Sequence, residues 1–231
     1  MLASFNAGCA NKTADLGDKL IDAAYDGDEG TVLALLNKGA NIDATEKSNG
    51  CTALMKAAEK GNTDVVRLLL ARGANIEAKD KHGVTALMMA VISGKPEVVK
   101  LLADKQIATA LIKAAEEGNM DKLIQLLDKG VDVNVRGTNG WTALMMAAHN
   151  GNVDAIRLLL DRGANIDAKS NGDWTALMEA ASCGKKDSVE LLISRGANIE
   201  ATDNNGYTAL MRADEERHSD IVQLLKASGA K

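Results

Sequence analysis

Three histidines, three cysteines and two adjacent glutamate pairs are the residues that could do chemistry in this chain. The histidines are His82, His149 and His218, and the cysteines are Cys9, Cys51 and Cys183. Cysteines and histidines at short spacing would hold zinc. A cysteine or serine beside a histidine base would make a nucleophile. Neither pattern is legible. The cysteines stand far apart and form neither a zinc spacing nor a disulfide framework, which reads as reduced thiols in a cytosol-like compartment. No histidine has a nucleophile at a familiar spacing, although spacing alone leaves neighbours in space open. Glu116/Glu117 and Glu215/Glu216 are adjacent, and adjacent residues on a helix do not face each other. Glycine-rich phosphate loops are absent. The sequence predicts no enzyme, no metal and no cofactor.

Composition narrows the partners. The 231 residues carry a net charge of −5 with both signs mixed along the chain. A nucleic-acid binder should show a basic patch or stripe. No apolar run approaches the ~20 residues that a membrane helix needs. The opening MLASFNAGCANK puts small residues before Cys9, as a bacterial lipidation site would. It lacks a basic n-region, and its short apolar part contains Asn6. Residues 1–17 therefore read as a leader, with lipid on Cys9 as the weaker alternative. A cytoplasmic monomer is expected.

The elements that must position these residues repeat. Thr-Ala-Leu begins at Thr52, Thr85, Thr109, Thr142, Thr175 and Thr208, at intervals of 33, 24, 33, 33 and 33. A degenerate copy, DKLIDAAYDGD, begins at Asp18. Each Thr stands where a helix needs an N-cap, since its hydroxyl can accept from an orphan backbone N–H. A short helix rich in Ala, Leu and Met follows, and then a glycine reverses the chain. An acidic residue such as Asp64 or Asp154 opens the second helix, where it suits the helix dipole. Stretches such as VVRLLL give that helix an apolar stripe.

A 33-residue period with T-x-L-x-x-A resembles the ankyrin repeat. The resemblance runs from Asp18 to Lys231 in seven copies. It implies an all-α, ankyrin-type helical solenoid of stacked antiparallel helix pairs with projecting hairpin loops. TALM replaces TPLH, so Met55, Met88, Met145, Met178 and Met211 occupy the histidine column. Arg217 replaces the inter-helix glycine of the last copy, as suits a C-terminal cap. His218 follows it, where the family often carries a structural histidine.

The 24-residue interval lacks one hairpin loop. Two arrays joined head to tail account for it: repeats 1–3 over 18–106 and repeats 4–7 over 107–231. A tight turn between Asp104 and Thr109 is expected there, because helix pairs are joined by loops as short as ~2–8 residues. A weak junction would let the halves unfold separately. One long helix is the alternative, since neither glycine nor proline lies between Pro96 and Gly118.

The resemblance implies a protein-interaction scaffold that binds a partner protein through the concave helix face and loop tips. A regulatory or inhibitory subunit of an enzyme complex is the alternative. Aromatic residues are scarce, yet Trp141, Trp174 and Tyr207 each precede a Thr at the 33-residue period. Trp141 with Met146 fits a hydrophobic staple. Trp174 with Glu179 and Tyr207 with Arg212 do not, though Tyr207 and Arg212 could form a cation–π contact. A local structural role and a partner-binding ladder both remain open. The candidate partner-binding residues are Trp141, Trp174, Tyr207 and Met146, with His149, Glu179 and Arg212 as a polar rim. His149 is read as a solvent-facing helix-end residue.

Overall fold

The computed structural model describes residues 16–231. Cys9 and most of the leader lie outside the described residues. Residues 16 and 17, placed in the leader by sequence, belong to helix α1, which is described over 16–26. Twelve further α-helices follow. They are α2 (Glu29–Asn37), α3 (Ala53–Lys60), α4 (Thr63–Ala71), α5 (Ala86–Ile92), α6 (Pro96–Glu116) and α7 (Met120–Asp128). Then come α8 (Ala143–Asn150), α9 (Val153–Asp161), α10 (Ala176–Ser182), α11 (Lys186–Ser194), α12 (Ala209–Glu215) and α13 (Ser219–Ala227).

The threonines form their caps. Thr52, Thr85, Thr142, Thr175 and Thr208 each accept from the backbone N–H three residues on, at 3.3–3.4 Å. All five are buried. Asp64, Asp121, Asp154, Asp187 and Asp220 lie in the first turns of the second helices. Their charge complements the positive helix end.

The chain divides into two compact units, with the boundary between Gln106 and Ile107. Each has its own core of Ala, Leu, Val and Ile. In the second unit, α8 packs against α10, and α10 against α12. Met55, Met145 and Met178 are buried, whereas Met88 and Met211, in the last helix pairs of their own units, are exposed. Among the described residues the loops form no sheet. Each hairpin closes with a backbone bond instead, such as Ser170 N–H to Trp174 C=O at 2.9 Å and Asp203 N–H to Tyr207 C=O at 3.0 Å. Neighbouring loops are tied by bonds such as Asn171 N–H to Asn139 C=O at 2.8 Å.

One expectation is corrected. No turn separates Asp104 from Thr109, because both lie inside the 21-residue helix α6. The deleted hairpin removed every residue that could stop a helix. What remains between Pro96 and Gly118 contains no breaker, so helical hydrogen bonding simply continues. Thr109 consequently sits mid-helix instead of at an N-cap.

Side chains also link successive pairs. Asn62 donates to the carbonyls of Ala24 and Tyr25, both at 2.9 Å, and so satisfies an exposed end of α1. Asn152 does the same for Ala115 and Glu116 at 2.8 and 2.9 Å. His218 Nε2 meets the carbonyl of Ser182 at 3.0 Å, a structural role in keeping with its column. A Cβ on Gly184 would stand 2.7 Å from the His218 ring, so that contact requires the glycine.

Thr142→Ala should cost about 1 kcal/mol by loss of the cap. Thr109→Ala should cost less, because Thr109 lies inside a helix, where alanine has the higher helix propensity. Urea titration of both variants compares them directly. Arg217 occupies the left-handed region at φ 62, where its column otherwise carries glycine. Arg217→Gly should therefore stabilise the chain by about 1 kcal/mol, measured the same way.

Candidate functional site

The residue before each capping threonine is held by its hairpin. Asp203 Oδ1 accepts the backbone N–H groups of Asn205 and Tyr207, at 2.8 and 3.0 Å. Ser170 Oγ accepts those of Gly172 and Trp174, at 3.3 and 3.2 Å. Each loop thus fixes the backbone beneath its aromatic ring. Trp141 and Trp174 are half-buried against the core of the second unit, and Tyr207 is exposed.

Arg212 sits between two of these rings. Its guanidinium carbon lies 4.5 Å from the Trp174 ring centre and 4.3 Å from that of Tyr207. The expected Tyr207–Arg212 contact is present. The contact to Trp174, one repeat earlier, is not readable from local spacing. Arg212 also donates to Asp203 and, at 2.9 Å, to Glu215. Its side chain is only 14% exposed and that of Asp203 is fully covered. A planar cation between two π faces, with both terminal nitrogens hydrogen-bonded, has little freedom left. Arg212 is therefore a strut of the aromatic edge more than a free rim charge.

Trp141 takes a different partner. The His149 ring stands edge-on to it, with ring centres 5.6 Å apart. Trp141 and Met146 also line a groove of about 390 Å³ with Ile112, Lys113 and Glu116. In the first unit, Cys51 occupies the corresponding column and is buried. There the cation–π contact comes from Lys60, 4.3 Å from the Tyr25 ring centre.

His149 is more than a solvent-facing helix end. Its Nδ1 lies 3.2 Å from Glu179 Oε2 and 3.3 Å from Cys183 Sγ. Glu179 is 5% exposed, so it stands beneath the surface and not on a rim. Burial raises its carboxyl above the ordinary value, and His149 offsets part of that shift. Burial likewise raises the Cys183 thiol, with Glu179 adding to it. A nucleophile relay needs the thiol and the carboxylate on different ring nitrogens. Here both meet Nδ1, and the thiol is disfavoured from ionising, so the trio is not built as one. Cys183 was not among the site residues read from sequence. Only the repeat period could have found it: His149 is seven after its Thr, and Glu179 and Cys183 are four and eight after the next.

Asp203 is the most consequential carboxylate of the aromatic edge. Burial alone would raise it, but the Arg212 hydrogen bond and the Tyr207 and Asn205 N–H groups outweigh burial, and its pKa is lowered. A folded value below the unfolded one adds stability at pH above the ordinary 3.8. That stability is lost as pH falls through the lowered value. Asp203→Asn should cost roughly 1.5–3 kcal/mol near neutral pH. The difference from wild type should shrink in thermal melts taken below the ordinary carboxylate range.

Comparison with known proteins agrees with this architecture. A family model described as ankyrin repeats (3 copies) matches residues 20–109, 104–170 and 168–231. The rat (Rattus norvegicus) ankyrin repeat and SAM domain-containing protein 6 is 36% identical over 70 residues, covering 26% of this chain and 8% of that protein. The match thus spans a small part of that relative's length. With the family model covering nearly all of the described residues, the chain belongs to the ankyrin repeat family.

Proposed function

We propose that this chain is a non-catalytic interaction module whose second unit binds a partner protein across its aromatic edge. Ankyrin repeats are generally protein–protein interaction modules. The observation that carries the finer reading is the Trp174–Arg212–Tyr207 stack. Its rings are held by hairpin bonds and by a cation that is itself anchored, yet Tyr207 remains exposed. Aromatic side chains fixed before contact lose little freedom on binding and carry much of an interface's energy. Trp141 and Met146 extend the surface along their groove. A loop or helix laid over this edge would meet Trp141, Trp174 and Tyr207 in turn. Exposed charges such as Lys113 and Glu116 would select among partners more than add affinity. His149, half-exposed beside Trp141, belongs to the same surface.

Affinity and stability separate at this edge. Tyr207→Ala should cost about 2 kcal/mol of binding with a small change in melting temperature. Trp174→Ala should lower both, because Arg212 loses one of its two rings. The test begins with capture from host extract by wild type and by the Trp141/Trp174/Tyr207 triple alanine variant. Proteins lost only with the variant are then purified and their Kd values measured. If a helical, folded triple variant retains every partner at wild-type affinity, the aromatic edge is not the binding surface.

A further inference from the structure

His149, Glu179 and Cys183 meet where two successive helix pairs of the second unit stack. Each offers one ligand atom, and the three atoms lie within 4.8 Å of one another. Two partners converge on a single ring nitrogen, His149 Nδ1. That nitrogen carries either a proton or a lone pair. With a proton, it has one hydrogen for two acceptors. With a lone pair, it accepts either from the thiol or from a protonated Glu179. A proton at this nitrogen thus serves one of the two partners at a time. A cation at their centre would serve all three, since each group would direct a lone pair at it.

The dimensions fit such an ion. Zinc–ligand bonds of about 2.0–2.3 Å at tetrahedral angles place neighbouring donor atoms roughly 3.3–3.6 Å apart. The two separations from His149 Nδ1 are 3.2 Å and 3.3 Å, and all three donor atoms lie within 4.8 Å of one another. Imidazole, carboxylate and thiolate are the donor types that zinc accepts. Two helices also end here. His149 lies in the last turn of α8, and Cys183 is the C-cap of α10. The partial negative charge of a helix C-terminus favours a cation. The Glu179 side chain, 6% exposed, forms a fixed floor, while that of His149, 43% exposed, leaves a way in from solvent. The edge-on Trp141 ring restricts rotation of the imidazole.

We propose that His149 Nδ1, Glu179 Oε2 and Cys183 Sγ form a site for a zinc-class divalent cation, with the fourth coordination position open. Binding converts the Cys183 thiol to thiolate, and its proton passes to solvent. The open position accepts water or a donor atom from another molecule. The site stands on its own geometry and does not depend on the partner-binding reading.

Cobalt(II) is the first probe, because tetrahedral cobalt bound to thiolate absorbs visibly and zinc displaces it. The metal-free full chain should bind one equivalent, with a thiolate-to-cobalt charge-transfer band that zinc abolishes. Cys183→Ser should remove the band, and Cys51→Ser should leave it intact. His149→Ala and Glu179→Gln should each weaken binding by more than the roughly 10–100-fold that loss of a supporting group costs. A second measurement needs no variant. Zinc should slow alkylation of Cys183 in the wild-type chain by about tenfold or more, mapped by mass spectrometry, and magnesium should not. Absence of the band at excess cobalt, its survival in Cys183→Ser, or a Cys183 alkylation rate indifferent to zinc would overturn the proposal.

Discussion

Close approach between neighbouring first helices is the constraint on which the rest of each unit depends. It is set by alanines. Ala53, Ala57 and Ala58 in α3, Ala143, Ala147 and Ala148 in α8, and Ala176, Ala180 and Ala181 in α10 are all at most 1% exposed. Helices of seven to nine residues bury too little surface to stand alone. They persist because each is clasped by its own second helix and by the next pair. A larger residue in these columns would overpack the interface. Among the described residues no aromatic ring is fully buried. Trp141, Trp174 and Tyr207 stand at the edge, immediately before the capping threonine, where the hairpin leaves room. The candidate binding surface is in this sense a consequence of how thin the core is.

The same stacking brings together residues that are remote in sequence. Asn62, Asn152 and His218 each reach back one pair to cap a first helix. Arg212 reaches back to Trp174. Arg162 meets Asp128 and Arg195 meets Asp161, at 2.9 and 2.8 Å. These last pairs are exposed and contribute little each. The asparagines count for more, because they satisfy carbonyls that a helix end leaves without partners. Register between neighbouring pairs is thus fixed by specific hydrogen bonds as well as by the apolar stripe.

Much of this architecture was legible from the chain. The threonine period marks the caps at Thr52, Thr85, Thr142, Thr175 and Thr208 but fails at Thr109, and the glycine column marks the reversals. At Thr109 the local capping signal is present but its flanks are not. A cap needs a non-helical residue before it, and the deletion left Ile107 and Ala108 in helix. The candidate site was less legible. Tyr207 and Arg212 lie on one helix start and could be paired by inspection. Trp174 with Arg212, and His149 with Glu179 and Cys183, belong to successive pairs. Their separations of 30 and 34 residues in the second case correspond to no motif. The burial of Glu179 was equally hidden, because its column mixes Lys56, Lys113 and Arg212 with Met89 and Met146 and so gives no single signal.

The period also shows why the ligand-type trio occurs once. Position seven after one threonine meets positions four and eight after the next, as His149 meets Glu179 and Cys183. Applied to the other interfaces within each unit, the same rule sets Glu59 against Met89 and Ser93, and Glu116 against Met146 and Asn150. It sets Ser182 against Arg212 and Glu216. None of these combinations assembles an imidazole, a carboxylate and a thiol. Stacking alone places whatever residues occupy the columns, so the trio is a property of these three residues and not of the fold. Glu179 sharpens the contrast. A carboxylate in a buried position is costly unless something compensates it, and its column tolerates methionine, lysine or arginine elsewhere. A bound cation would give that carboxylate a second partner of opposite charge beside the imidazole.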